Sequence, residues 1–196
     1  MNKVFLGCGL VVLGVLVFLG LAVAGSYNRL VTLEETVKSA WSQVENVYQR
    51  RADLVPNLVE TVKGAASFEK DTFTAVTEAR AKVGQVTFGK VPDAQQMQQF
   101  QGAQDGLSSA LSRLLVVVEK YPELKATQAF RDLQVQLEGT ENRIAVERRR
   151  FNEAAQAFNT TRRRFPTMIV ASLFGFAEKP YFQSAPGSDK APQVKF

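Results

Sequence analysis

Hydrophobic and polar residues are distributed unevenly along this chain. Residues 4–25 contain no charged, amide or proline residue, and as an α-helix they would extend about 33 Å, enough to cross the hydrocarbon core of a membrane. From Tyr27 onward, apolar residues recur at intervals of three and four, which is the period of amphipathic helices. The pattern predicts a short tail at 1–3, a transmembrane helix at 4–25 and an all-α remainder.

The apolar stretch also has features of a secretory signal peptide. Lys3 gives the chain a basic start, and residues 22–24 read Ala-Val-Ala, which resembles a cleavage site. However, the stretch is longer than the usual signal-peptide region of about 7–15 residues, so a retained anchor is favoured. The orientation in the membrane stays open, because Lys3 on one side is nearly balanced by Arg29 and Lys38 on the other.

The segment after the span has a wide apolar stripe. With Leu30 as heptad position a, ten of the twelve a and d positions from there to Phe68 are apolar, and position e adds Trp41, Tyr48, Val55 and Val62. A stripe on a, d and e is typical of a bundle helix. Pro56 lies inside it and is expected to kink the helix.

Three further helices are predicted. The second covers residues 68–83, and the third begins after a possible Asp93 cap and ends near Pro122. The fourth carries large apolar residues at strict seven-residue intervals and stops at Pro166; we expect these residues in the core: Phe130, Leu137, Ile144, Phe151, Phe158 and Phe165. The predicted domain, residues 26–166, is therefore an antiparallel up-down four-helix bundle with long first and last helices.

Residues 167–196 differ in composition and form a separate predicted region. Residues 168–176 are mostly apolar but too few to span a bilayer, and residues 178–196 read as an extended tail. Because the last helix of such a bundle returns toward the anchor, basic and apolar residues here are candidates for contact with the membrane surface. They are Arg162, Arg163, Arg164, Met168, Ile169, Leu173, Phe174 and Phe176. Equally, the apolar segment can fold back over the bundle.

The net charge of +5 comes largely from the fourth helix. Its charges predict either a solvated face with intrahelical pairs, such as Glu147 with Arg150, or contact with anionic headgroups. Arg51 and Glu147 interrupt the apolar stripes of the first and fourth helices. Since buried charges need partners, they are a candidate buried ion pair, or else two solvent-facing residues.

Composition limits the possible chemistry. The chain has no histidine, and its one cysteine, Cys8, lies within the apolar span, so His-based triads, His-metal sites and disulfides within the chain are excluded. The sequence has no phosphate loop, dinucleotide-binding turn or metal motif. We expect no enzymatic activity, cofactor, metal, small-molecule substrate or nucleic acid partner, and keep a carboxylate-based hydrolase only as a remote alternative.

Three stretches resemble the LemA family. They are AWSQVENVYQRRADLVPNLVETVKG at 40–64, LEGTENRIAVERRRFNEAAQAFNT at 137–160, and LFGF followed by KPYF within 173–182. The chain departs from the family at residues 64–68, which read Gly-Ala-Ala-Ser-Phe. Family members often have Gly-Tyr-Ala here, followed by a His-Glu pair that this chain lacks. The resemblance implies a bacterial membrane-anchored helical bundle without an established activity. It also implies a cytoplasmic bundle, whereas the cleavage-like Ala-Val-Ala favours the opposite side.

Together these features favour a non-enzymatic, single-pass scaffold or interaction protein of the bacterial cell membrane. Its expected partners are the lipid bilayer and either further copies of itself or other envelope proteins. Relatives in magnetosome membrane systems, which the family resemblance implies, point to membrane organisation. An adaptor or regulatory subunit of a membrane protease or transport complex is the alternative.

Overall fold

The computed structural model describes residues 2–64, 69–86 and 88–183, with side chains from residue 9 onward. Within these residues the protein is built from helices alone, which confirms the all-α prediction. The helices are α1 (Asn2–Lys63), α2 (Lys70–Gln85), α3 (Ala94–Glu119), α4 (Pro122–Lys125), α5 (Gln128–Arg163) and α6 (Thr167–Leu173).

Helix α1 joins the predicted membrane span to the rest of the protein without interruption. Its 62 residues correspond to about 93 Å. The amino-terminal part is long and apolar enough to cross a membrane, and no side chain between Gly9 and Gly25 is buried. Pro56 lies within α1 and does not end it.

The two long helices, α1 and α5, run antiparallel. Arg51 bonds to Glu141, and Trp41 contacts Phe151, so residue numbers rise along α1 as they fall along α5. Helix α2 turns back along the far end of α1, where the Nε of Arg80 donates to the carbonyl oxygen of Ala52. Helix α3 then runs parallel to α1.

The buried residues form two clusters, separated along the long axis. The distal core lies far from the span and contains Leu54, Val55, Leu58, Val62, Phe73, Val76, Val83, Leu107, Ala110, Leu111, Leu114, Val118, Leu124, Phe130 and Leu137. The proximal core lies nearer the span and contains Leu30, Val37, Trp41, Val44, Tyr48, Met97, Phe100, Ile144, Phe151, Ala155, Phe158, Val170, Ala171 and Phe182.

The heptad patterns predict most of this burial. In α1 the described a residues are buried, as are the apolar e residues from Trp41 to Val62. Among the d residues Leu54 is buried, whereas Leu33, Ala40 and Val47 are only partly buried, so nearer the span the stripe is centred between a and e. In α5 the expected residues from Phe130 to Phe158 are buried, but Phe165 is 79% exposed. That expectation was wrong because α5 ends at Arg163, before the last position of the pattern.

The predicted helix boundaries also hold in outline. Asp93 caps α3: its side chain accepts from the backbone N–H of Gln96, and the Gln96 side chain accepts from the N–H of Asp93. Helix α2 begins at Lys70, slightly later than expected. Residues 65–68, which include the last a and d positions of the first heptad series, lie outside the described residues.

The carboxyl-terminal segment packs back onto the long helices. Gly175, at a φ of +73°, ends α6, and the N–H of Phe176 bonds to the carbonyl oxygen of Ala171. This hydrogen bond is the one that defines a Schellman motif at the end of a helix. The motif needs one residue in the left-handed conformation, which glycine adopts most readily because it has no Cβ. Residues 176–183, which we call the strap, then run without helical structure along α5. The rest of the tail predicted as extended, residues 184–196, lies outside the described residues.

Candidate functional site

A buried polar cluster surrounds Arg51, which is 2% exposed. One guanidinium nitrogen donates to the Ser108 hydroxyl at 2.9 Å and to the Glu141 carboxylate at 2.8 Å. The other donates to the side-chain and backbone oxygens of Gln104. The guanidinium also lies 5.1 Å from the ring centre of Tyr48. Because nearly every donor has an acceptor, the burial of this charge is compensated.

The predicted buried pair between Arg51 and Glu147 is wrong. The antiparallel register puts Glu141 opposite Arg51, and Glu147 lies six residues, or about 9 Å, further along α5. Glu147 instead pairs with Arg150 at 2.9 Å, which confirms the intrahelical alternative. The prediction assumed too large a stagger between the two helices.

Several exposed apolar side chains belong to the segment that packs beside the point where α1 leaves the predicted span. We call this set the collar: Phe165, Met168, Ile169, Leu173 and Phe174, all of which are exposed. Tyr27 shows where the collar lies along α1, because the Tyr27 ring contacts those of Phe174 and Phe176 at centroid distances of 4.9 and 5.6 Å. The collar therefore lies two residues beyond the end of the apolar stretch of α1.

Helix α6 has two different faces. Val170 and Ala171 are buried in the proximal core, and Phe176 packs against the same cluster. Met168, Ile169 and Leu173 point away from it. One face of α6, together with Phe176, therefore folds back over the helices, as one of the two interpretations of this segment expected. Contact of the other face with the membrane stays a prediction.

Two of the three clustered arginines hold the strap. The Nε of Arg162 donates to the carbonyl oxygen of Phe176 at 2.7 Å, and Arg163 pairs with Glu178 at 2.6 Å. The bond from Arg163 holds the pKa of the Glu178 carboxyl below its usual value. Arg164 is exposed and follows the last turn of α5. Of the three, it is the arginine best placed to meet a membrane surface.

Two asparagines of α5 bind the backbone of the strap. Asn159 donates to the carbonyl oxygen of Lys179 at 2.8 Å and accepts from its N–H at 2.9 Å. Asn152 makes the same pair of bonds with Phe182, at 3.0 and 2.8 Å. Each side-chain amide therefore satisfies both backbone groups of one strap residue.

The strap also inserts an aromatic anchor into the proximal core. The Phe182 ring lies 5.5–6.4 Å from the ring centres of Trp41, Phe100 and Phe151. On its other side, the guanidinium of Arg148 lies 4.8 Å from the ring centre. Phe182 is thus enclosed by aromatic and cationic groups from α1, α3 and α5.

Lys179 ties the strap to α1. Its ammonium group lies 2.6 Å from a carboxylate oxygen of Glu34 and 5.1 Å from the ring centre of Phe158. Both Lys179 and Glu34 are largely shielded from solvent. The strap therefore lies in a groove between α1 and α5 and is held from both sides.

The described residues show no group of three or more His, Cys, Asp and Glu side chains arranged to hold a metal ion. A shallow surface cavity between α1 and α5 is lined by three carboxylates. Each one pairs with a basic residue of its own helix: Glu35 with Lys38, Glu147 with Arg150, and Glu153 with Arg149.

Sequence reasoning missed the residues that bind the strap. Asn152 and Asn159 are seven residues apart and adjacent to the Phe151–Phe158 line, which was a usable signal, because asparagine is a poor residue for a helix interior. Gln104 and Glu141 gave no signal of their own. Their role depends on the stagger between helices, which spacing alone does not determine.

Comparison with known proteins identifies the family. The model of the LemA family matches residues 40–196, which include the strap, the collar and the α5 side of the groove. The chain belongs to the LemA family. Its match to the family therefore extends over most of the helical domain and begins within α1, beyond the apolar stretch.

Three curated relatives show how this LemA-family chain compares. It is 29% identical to magnetosome protein MamQ 1 of Paramagnetospirillum magneticum over 182 residues, covering 83% of this chain and 66% of that protein. MamQ of Magnetospirillum gryphiswaldense is 28% identical over 189 residues, with shares of 86% and 70%. Protein LemA of Metamycoplasma hominis is 24% identical over 161 residues, with shares of 82% and 70%. The chain thus spans just under two thirds of the length of MamQ 1.

Proposed function

We propose that this protein is a non-enzymatic, single-pass scaffold of the bacterial cell membrane, whose helical domain rests on the membrane surface. It assembles with further copies of itself or with other envelope proteins. The observation that carries the proposal is the apolar collar beside the point where α1 leaves its apolar stretch.

The height of the collar supports contact with the bilayer. Tyr27 lies two residues after the apolar stretch, and its ring touches Phe174 of the collar. Beyond Tyr27, the exposed large apolar residues outside the collar, among the described residues, are Val116, Val135 and Tyr181. Isolated residues of this kind are normal on a soluble surface, whereas a cluster marks a contact. Arg164, at the end of α5, adds a charge that is attracted to anionic lipid.

The helix directions support a scaffold built on an up-down bundle of α1, α2, α3 and α5. Helices α1 and α5 are antiparallel, α2 runs back along α1, and α3 returns parallel to it. In this arrangement α5 brings its carboxyl end back to the anchor, so the collar and the anchor share one end of the domain.

The family assignment supports a membrane role. Two of the relatives are named magnetosome proteins, and a magnetosome is a bacterial membrane system. We extend to this chain only the association with a bacterial membrane.

Cell fractionation tests the anchor. We expect the full-length chain in the membrane fraction at its unprocessed mass, because residues 4–25 form an uninterrupted apolar stretch long enough to cross a bilayer. Recovery of a soluble form that starts at Gly25 would show that the stretch is a signal peptide.

A fluorescent label tests the collar. In full-length protein carrying Cys8→Ser and reconstituted in lipid nanodiscs, an environment-sensitive dye is attached at Leu173→Cys or, as the control, at Val135→Cys. Both positions are exposed, but the second lies in the distal half of α5. We expect a blue-shifted emission that lipid-soluble quenchers reduce at position 173 only. Equal quenching at both positions would contradict the proposal.

A charge variant tests the role of Arg164. We expect Arg164→Gln to reduce the extra quenching that anionic lipids produce at position 173, and added salt to have the same effect. Arg113→Gln removes the same charge from an exposed position on α3 and is the matched control.

A further inference from the structure

A cavity of about 400 Å³ lies between α1, α2 and the first half of α3. Its volume is within the range of small-ligand sites, about 300–1,000 Å³. On α1 its lining residues run from Glu45 to Ala52, and Glu45 is 18 residues beyond Tyr27, which corresponds to about 27 Å. The cavity is therefore well outside the predicted membrane span, so a ligand reaches it from water rather than from lipid.

One end of the cavity carries a carboxylate without a hydrogen-bond donor. One carboxylate oxygen of Glu45 is buried and accepts no hydrogen bond from the described residues. Burial raises the pKa of this carboxyl, and the nearby N–H of Trp41 opposes the shift without forming a hydrogen bond. Buried acceptors in proteins almost always have a donor. A ligand with a positively charged N–H group would supply it.

The opposite end of the cavity carries a guanidinium group. The Nε of Arg80 donates to the carbonyl oxygen of Ala52 at 2.9 Å, which holds this side chain of α2 against α1. The bond uses only the Nε, so the terminal nitrogens can still bind an anion. Glu45 and Ala52 are seven residues apart on α1, which corresponds to about 10.5 Å. The negative and positive ends of the cavity are therefore about 10 Å apart.

Side-chain amides line the cavity between its charged ends. Gln104 uses its side-chain oxygen for Arg51, and Gln49 uses its side-chain nitrogen for Asp53. The amide nitrogen of Gln104 can donate a further hydrogen bond, and the amide oxygen of Gln49 can accept one. A donor and an acceptor side by side match the backbone of a peptide.

Aromatic rings and glycines form the remaining walls. The rings of Tyr48 and Phe100 meet edge to face at 5.0 Å, and both residues line the cavity. Gly84 and Gly89 also line it, and a Cβ at either position would meet no other atom of the described residues within 4 Å. The rings thus offer an apolar surface to one side chain of a ligand, and the glycines leave the space beside them open.

We propose that this cavity binds a short peptide with free termini. The amino group bonds to Glu45 and the carboxylate to Arg80, because about three or four extended residues span the distance between them. The backbone pairs with Gln49 and Gln104, and a large apolar side chain contacts Tyr48 and Phe100. This binding activity is independent of the proposed scaffold function, which the collar and the anchor carry.

Peptide titration of the full-length chain in lipid nanodiscs tests the site. The probes are Ala-Phe-Ala and Ala-Phe-Ala-Ala, and isothermal titration calorimetry measures their Kd. Each probe has two matched controls: acetylation removes the amino charge, and a terminal carboxamide removes the carboxylate. We expect each modification to raise the Kd about tenfold, because each removes a hydrogen bond between charged groups.

Two variants assign the ends of the peptide. Glu45→Gln should abolish the preference for the free over the acetylated amino terminus. Glu60→Gln, which changes an exposed carboxylate elsewhere on α1, is the matched control and should keep it. Arg80→Gln should abolish the preference for the free carboxylate over the carboxamide.

A third variant tests whether the peptide enters the cavity. Gly84→Leu places a side chain in the open space beside Gly84, so binding of both probes should be lost. Gly102→Leu makes the same change at an exposed glycine of α3 and should bind as the wild type does. The modified peptides are compared on the wild-type chain, so that comparison does not depend on the folding of any variant.

The results separate the peptide site from its alternatives. Lack of binding by both probes, or a Kd that either modification leaves unchanged, would overturn the proposal. Binding that survives Gly84→Leu would place the peptide outside the cavity and would overturn it as well. Each of these results would leave the proposed scaffold function intact, whereas loss of the chain from the membrane fraction would overturn that function and not the site.

Discussion

The distal and proximal cores are built differently, although the same two long helices run through both. In the distal core α1 and α5 are joined by α2 and α3, and two of its fifteen buried residues are aromatic. In the proximal core α2 is absent, and the strap and α6 contribute instead; six of its fourteen buried residues are aromatic. Where a helix is lacking, large rings and an extended segment fill the space.

The difference shows how the chain encloses its buried residues with helices of unequal length. Aromatic side chains cover more area per residue than aliphatic ones, so a few rings on α1, α3 and α5 can enclose a single ring from the strap. The polar cluster of Arg51 lies between the two cores, bonded to Gln104, Ser108 and Glu141. The bonds of this one buried guanidinium join α1 to both α3 and α5 at the boundary between the cores.

The largest expected effect is in the proximal core. Phe151→Ala should lower the free energy of unfolding by about 3–5 kcal/mol, because it removes a fully buried ring that contacts both Trp41 and Phe182. Chemical denaturation of the full-length chain in detergent measures it. Phe165→Ala, on the same heptad line but exposed, is the matched control and should change stability little. Equal losses in the two variants would mean that the ring line is not the core.

The boundary between the cores is the next most sensitive point. Gln104→Leu should cost about 1–3 kcal/mol, because it removes the side-chain acceptor of a buried guanidinium donor. Glu141→Gln should cost less, since the side chain is half exposed and the amide oxygen still accepts from Arg51. The same denaturation assay ranks the two variants. The reverse order would mean that the ion pair with Glu141, rather than the bond to Gln104, contributes most to the stability of the cluster.

A smaller and more local effect is expected at the strap. Phe182→Ala should release residues 176–183 at a lower cost to global stability than Phe151→Ala, because a terminal segment can open without the rest. Trp41 is the one tryptophan of the chain and lies against Phe182, so its emission should shift to longer wavelength. Gln183→Ala is the control, because the backbone carbonyl of Gln183, rather than its side chain, accepts from Arg148. An unchanged emission would mean that the ring does not shield Trp41.

The smallest expected effect is a pH dependence of the strap. Because Arg163 holds the pKa of Glu178 below its usual value of about 4.3, the pair stabilises the docked strap fully above that pH. The stabilisation is then lost as the pH falls through the lowered pKa. Both groups are exposed, so the loss should be slight. Trp41 emission, titrated from pH 6 to 3 in the wild type and in Glu178→Gln, measures it. Identical curves would show that the pair of Arg163 and Glu178 does not stabilise the docked strap.

Much of the fold could be predicted from periodicity, and the contacts of the site could not. The heptad lines through Leu30 and Phe151 identify buried residues, because a helix presents every seventh residue on one face. The same lines do not specify the stagger between helices, which is why Glu147 was paired with Arg51 in place of Glu141. Phe182 lies in a segment with no period at all, so nothing local shows that its ring is buried.

The unbroken path of α1 has a mechanical consequence. A helix without a joint at the membrane boundary behaves as a lever, so any change in the tilt of its apolar part is passed on to the domain. Membrane spans adjust their tilt to the thickness of the bilayer. From Tyr27 to the end of α1 the lever arm is about 55 Å, so a tilt of about 10° would move the far end by about 10 Å. A change in bilayer thickness would thereby displace the distal core sideways, with α1 pivoting near the collar.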